Sequence, residues 1–193
     1  MKIGVLGGTF DPIHTAHTSV AEEAMRKLGL DHVIFIPAGQ PWMKEGQPVS
    51  PASLRLEMVK TAIAKTPFFK ASSLEIESSK PSYTIETILA LRRELGDGVE
   101  INLILGADAL AQMPQWKNPE QILKICTLVV FDRPGHDRAQ KRNPDEPLPG
   151  ISGKMKVLQG PLLSISGTEI RRRVAEGNPI GHLVSENVER FII

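Results

Sequence analysis

A single cysteine, Cys126, among 193 residues leaves the chain no internal disulfide and no cysteine zinc cluster. It stands where an apolar run begins, and as a small buried hydrophobe it fits a reducing cytosol. Net charge is nearly absent, since 23 Lys and Arg stand against 22 Asp and Glu. No global basic field therefore draws nucleic acid or an anionic membrane, and anion binding has to be local. No apolar stretch approaches the ~20 residues that span a bilayer. The run after Lys2 reads at once as a strand, without a basic region and a long apolar core, so no secretory signal is expected and a cytoplasmic protein is the default. Internal repeats are missing too. With 41% hydrophobic and 23% charged residues, the chain reads as one globular domain over 1–193.

Two familiar phosphate motifs are also missing: neither GxGxxG nor GxxxxGK[ST] occurs at the first glycine turn. What stands there is Gly7–His17, GGTFDPIHTAH. It follows the short apolar run Lys2–Leu6 and leads into Ser19–Leu28, where apolar residues recur at helical spacing. The layout is strand, glycine turn, helix. Glycines at a strand end let backbone N–H groups approach a ligand, and a helix starting near Ala16 adds unpaired N–H groups and a positive dipole end. His14 and His17, three apart, can face one phosphate. On these residues alone a tight connection explains the turn as well as a phosphate site does.

Further along, His32–Pro37 reads as a second buried strand, implying a right-handed parallel crossover. The irregular segment Ala38–Lys44 leaves its carboxyl end, where ligands sit in open α/β sheets. Ser50-Pro51 predicts an N-cap and first helical position, followed by an apolar stripe of Leu54, Met58, Val59, Ala62 and Ile63. Phe68–Ile76 is expected as a third strand with Glu75 and Glu77 at its solvated end, although two carboxylates also suggest an acid and base pair. A helix is expected over Ile85–Leu95 with Thr84 as its cap. Ile101–Leu105 is the clearest buried strand. It delivers Gly106 and Asp108 to its carboxyl edge, where Asp108 either accepts ribose hydroxyls or caps a helix. Thr127–Asp132 is another strand, and the proline-broken stretch from Gly135 to Gly153 reads as a mobile surface loop. A last short strand falls near Lys154–Leu158. Ser166 and Glu169 have capping-box spacing ahead of Arg171, Arg172 and Arg173, three cations at a positive helix end that an anion would offset. Ser185–Ile192 closes the chain as a short helix. The alternation of strands and helices predicts a doubly wound, mainly parallel α/β sheet with helices on both faces.

GGTFDP followed by His14-Thr15-Ala16-His17 resembles the (H/T)xGH nucleotidylyltransferase superfamily, and most of all the bacterial nicotinate-nucleotide adenylyltransferases. The resemblance extends to Gly106-x-Asp108 with Trp116, to Ser82-Tyr83-Thr84, and to Ser166-Gly167-Thr168-Glu169-Ile170-Arg171. The departures are Ala16 for glycine, Met43 for histidine and Gly167 for a second serine. The resemblance implies a Rossmann-like fold and adenylyl transfer from ATP to nicotinate mononucleotide, giving deamido-NAD and pyrophosphate. It implies Mg²⁺ carried by ATP and no metal site of the protein's own. His14, His17, Lys44 and Arg171 would be catalytic. Gly7, Gly8, Thr9, Phe10, Gly106, Asp108, Ser166 and Thr168 would complete the ATP site, and Lys44, Tyr83, Thr84, Trp116 and Arg133 the acceptor site. A relative using another phosphorylated acceptor, or a non-catalytic nucleotide-binding regulator, is the alternative. A homo-oligomer is left open.

Overall fold

The structure, a computed structural model, describes residues 1–44, 46–132, 150–160 and 165–193. Its described strands form one six-stranded sheet in the order β3-β2-β1-β4-β5-β6, with every neighbouring pair parallel. The strands are β1 (Lys2–Gly8), β2 (His32–Pro37), β3 (Phe69–Ala71), β4 (Glu100–Gly106), β5 (Cys126–Asp132) and β6 (Met155–Gln159). The helices are α1 (Thr15–Leu28), α2 (Ala52–Ile63), α3 (Thr84–Leu95), α4 (Ala107–Gln112), α5 (Pro119–Ile125), α6 (Gly167–Ala175) and α7 (Glu186–Ile192).

Side chains alternate across each strand, so two cores form, one per face. Ile3, Val5, Ile101, Leu103, Leu105, Leu128 and Val130 pack with α3 and α5 through Ile85, Ile88, Leu91, Ile122 and Leu123. Leu6, Val33, Phe35, Ile104, Val129 and Phe131 pack with α1, α2, α6 and α7 through Ala21, Met58, Val59, Ile170 and Val188. Each buried aliphatic side chain is worth about 1.5–3 kcal/mol, and central strands clad on both sides explain the unbroken apolar runs. Strand order reverses direction between β1 and β4. Their carboxyl ends, Gly7-Gly8 and Gly106, thus flank the crevice where such sheets bind ligands.

Three expectations are corrected. The third strand is only Phe69–Ala71; Ser72–Ile76 turns away, with the Ile76 and Glu77 amides donating to the Ser73 carbonyl. Leu54 is exposed, and Arg55 takes the buried place in the stripe of α2. The caps shift by one residue: Pro51 is the N-cap of α2, and Tyr83 rather than Thr84 is that of α3. Cys126 opens β5 and is buried, which pushes its thiol up to about 12. None of the described helices is long and apolar enough to cross a membrane.

Candidate functional site

The glycine turn is built around Phe10, a non-glycine residue held at φ 50°. Its ring is buried, meeting His17 edge-on at 5.0 Å and Phe35 at 6.0 Å. Phe10 is thus a floor beneath His17, and only its backbone faces a ligand. His14 is the N-cap of α1. The two imidazoles stack, with centroids 3.7 Å apart and planes 21° apart, and the His14 amide donates to Nδ1 of His17 at 3.2 Å. Nδ1 of His17 being an acceptor, the proton of the neutral ring belongs on Nε2, the nitrogen left to donate to a ligand. His14 Nδ1 is buried without a hydrogen-bond partner. Burial lowers His14 to about 4, and burial together with His14 lowers His17 well below the usual imidazole range. Both rings are neutral at pH 7.

Arg171, in α6, reaches across this turn. Its Nη1 donates to the Asp11 carbonyl at 2.6 Å and lies 3.8 Å from Oδ2 of Asp11, while Nη2 is 3.5 Å from Oγ1 of Thr168. Asp11 is buried and also accepts from the Ser50 amide at 3.2 Å. Lys44 completes the group from a short turn over Trp42–Lys44. Burial, then the Arg171 charge and then Arg55 lower its ammonium, against the opposing pull of Asp11. Arg171, Lys44 and Arg55 thus lie near the buried Asp11 carboxylate, with Arg55 also facing Glu75, and the local surplus of positive charge suits an anion in the crevice.

Ser166 caps α6, its hydroxyl accepting from the Glu169 amide at 3.2 Å. The three-arginine reading needs correction, because Glu169 does not complete the capping box. It instead binds Arg172 and Arg173 at 2.9 and 2.8 Å, and Glu176 takes Arg172 at 2.6 Å. These pairs hold the Glu169 carboxyl down to about 2. Only Arg171 is directed to the crevice. Gly167 has a local reason: a Cβ there would lie 2.7 Å from the Asp11 carbonyl oxygen, so glycine lets α6 dock on the turn.

On the other side of the crevice, Lys117 sits 4.5 Å over the Tyr83 ring and pairs with Glu86, while Trp42 meets Tyr83 at 6.0 Å. Thr84 is the first residue of α3 and makes no cap. Trp116 packs half-buried against the α3 and α5 core, its Nε1 buried without a partner. Among the described residues no ring contact joins Trp116 to Tyr83; its neighbour Lys117 makes the link. Asp108 lies exposed in the first turn of α4 and does not cap it, the N-cap being Gly106. Glu75 is not a solvated strand end: it is largely buried, accepts from the Thr87 hydroxyl at 2.6 Å, and burial raises its carboxyl. Glu77 is exposed and takes the Ser73 hydroxyl. Arg133 and most of the stretch Gly135–Gly153 lie outside the described residues; Ser152–Lys154 forms a single 3₁₀ turn.

Asp11, Trp42, Arg55 and Lys117 are the site residues that sequence reasoning missed. Arg55 is 1% exposed and donates to the carbonyls of Thr9, Ser50 and Gly39 at 2.7, 2.9 and 3.4 Å. The available signal was a charged residue three and four positions before Met58 and Val59, on the buried stripe.

A parallel sheet with a cationic crevice at its switch point defines an α/β protein that binds phosphorylated ligands. More narrowly, the chain belongs to the cytidylyltransferase-like family, whose model matches residues 5–173. It is 41% identical over 192 residues to a probable nicotinate-nucleotide adenylyltransferase of Dehalococcoides mccartyi, covering 100% of this chain and 94% of the relative. It is 43% identical to one from Roseiflexus sp., covering 98% and 94%. In fold it is similar to Plasmodium falciparum nicotinic acid mononucleotide adenylyltransferase complexed with NaAD, with TM-score 0.75 and 20% identity over 99% of this chain and 94% of that one.

Proposed function

We propose that the protein transfers the adenylyl group of ATP to nicotinate mononucleotide, giving deamido-NAD and pyrophosphate in NAD biosynthesis, as a cytosolic enzyme of one domain. The observation that carries this reading is the cationic crevice of Lys44 and Arg171 beside the neutral pair His14 and His17, in a chain of this family with full-length relatives of that name. The acceptor's phosphate is already anionic and needs no base. One of its oxygens bonds to the α-phosphorus, the bond from that phosphorus to the bridging oxygen breaks, and pyrophosphate leaves with the electron pair. The protein's part is to align the two anions and to stabilise charge as it shifts.

In this reading Nε2–H of His17 donates to the α-phosphate, and His14 lies against the adjoining oxygens. Lys44 and Arg171 take the departing phosphates, while amides of Gly7, Gly8, Thr9 and Phe10 line the turn. Ser166 and Thr168 bring the start of α6 to the triphosphate, and Gly106 and Asp108 border the nucleoside. Tyr83, Thr84, Trp116 and Arg133 frame the pyridine nucleotide, with Lys44 between the two ligands. Among the described residues no three His, Cys, Asp or Glu gather to hold a metal. In this reading the divalent ion comes with the nucleotide, so the substrate is written Mg·ATP.

The test supplies Mg·ATP with a panel of phosphorylated acceptors and measures pyrophosphate. Release with nicotinate mononucleotide above all others supports the reading; release only with a different acceptor replaces the substrate, and no release with any replaces the enzyme by a binding protein.

A further inference from the structure

The hydroxyl of Ser82 sits at the meeting point of three segments. It accepts from the Gly39 amide at 2.9 Å and the Gln40 amide at 3.2 Å, and its side chain stands by the Glu75 carboxyl, where it counters the upward push of burial on that group. A hydroxyl has two acceptor sites, and both are taken by these amides. Ser82 also closes a backbone bond, its own amide donating to the Gln40 carbonyl at 3.0 Å. The Gly39 carbonyl is held from the opposite side by Arg55. Gly39 runs so close to the next segment that a Cβ on it would lie 2.1 Å from the Glu75 carbonyl oxygen. Glu75 in turn takes the hydroxyl of Thr87, which also lies 3.3 Å from the Tyr83 carbonyl. Polar contacts thus run from Thr9 through Arg55 and Gly39 to Ser82, which adjoins α3, and from Glu75 through Thr87 to the first turn of α3, the two sets meeting where Gly39 packs on Glu75.

We infer that Ser82 and Glu75 are positioning residues. They hold the Gly39–Gln40 segment against the start of α3, and so fix the distance between the phosphate crevice that Arg55 braces and the acceptor wall at Tyr83 and Thr84. In-line transfer depends on that distance, since a displacement of about 1 Å costs on the order of 10²-fold in rate. A half-buried carboxylate would be a costly way to pack a loop; here the Thr87 hydroxyl and the facing Arg55 charge compensate it. The acceptor role rests on the function proposed above, whereas the coupling of the two segments does not.

The experiment uses the full chain with Ser82→Ala and Ser82→Thr. Ser82 lines a cavity of about 240 Å³, so the added methyl of threonine has room. Steady-state kinetics are read for both substrates, and amide hydrogen exchange is followed in the ligand-free proteins. For Ser82→Ala we expect KM for nicotinate mononucleotide to rise about tenfold and KM for ATP to stay within about twofold. Exchange should speed up together at Gly39–Gln40 and at Tyr83–Thr87, and Ser82→Thr should restore both. Unchanged acceptor KM, or equal rises in both KM values, overturns the positioning role. Faster exchange at one segment alone overturns the coupling. If the unmodified protein gives no pyrophosphate with nicotinate mononucleotide, the substrate reading and the acceptor role fall, while the exchange arm still decides the coupling.

Discussion

Each imidazole of the stacked pair enters the site neutral, and that has consequences in opposite directions. Removing a single transition-state donor costs about 10²- to 10³-fold, so His17→Ala should lose kcat on that scale, together with about 1–3 kcal/mol of stability as the His14 amide loses its acceptor; full activity in the folded variant would return the glycine turn to a mere connection. Neutral burial also ties stability to pH. His14 has its folded pKa depressed to about 4 from 6.5, so below pH 6.5 the unfolded chain takes up a proton that the folded one refuses. Its share of stability is intact above pH 6.5 and falls as pH drops to about 4, by roughly 2–3 kcal/mol at most. Glu75, raised by burial, acts with the opposite sign at the acid end of that window, gaining a proton on folding. Urea unfolding from pH 7 to 4 should therefore show a shallower loss for His14→Gln than for the unmodified protein, and equal slopes would refute the burial account. The histidines were legible because they lie in one contiguous string. Asp11 was in that string too, but its role depends on Ser50 and Arg171, far along the chain, and nothing local announces such partners.

Among the elements, α6 gives the sharpest contrast between pattern and structure. The family resemblance has serine where this chain has Gly167, yet a Cβ at that position would meet the Asp11 carbonyl at 2.7 Å. Gly167→Ser should lift the start of α6 off the turn and pull Arg171 from its 2.6 Å bond. We expect kcat/KM for ATP to fall about tenfold, with helix content unchanged by circular dichroism; unaltered kinetics would show that the docking is loose. Strands β1, β2, β4 and β5 were readable to within a residue or two, because central parallel strands carry long apolar runs, whereas β6, placed to within one residue, is a mostly exposed edge strand without such a run. β3 was overread: Phe68–Ile76 has strand-like alternation, but only three residues pair with β2, and the rest serves the Glu75 network. In α2, periodicity located the helix and its buried face and misplaced only Leu54, since counting apolar residues cannot see an arginine whose donors go to three loop carbonyls.

At the scale of the whole molecule, segments from both halves of the sheet meet at one crevice, and in the proposed reaction acid selectivity would come from the acceptor wall. Ring stacking treats acid and amide alike, whereas donors facing a carboxylate are left partly unpaired by an amide. A preference for nicotinate mononucleotide over its amide of about ten- to a hundredfold in kcat/KM is the expected outcome, and parity between the two would refute an acid-selective wall without touching adenylyl transfer. The crevice also depends on residues from the far end of the sequence. Arg171 donates to Asp11, and the amide and hydroxyl of Thr15 both donate to the Leu183 carbonyl at 2.9 and 3.0 Å. During synthesis the glycine turn leaves the ribosome some 160 residues before the partners that brace it. A nascent chain halted after β5 would carry the motif, the central strands and Arg55 on the Thr9 carbonyl, yet it would lack Arg171 over the turn and the Leu183 carbonyl at the start of α1. The full set of contacts on the glycine turn is thus available only after the last helices have been made and lie against the first.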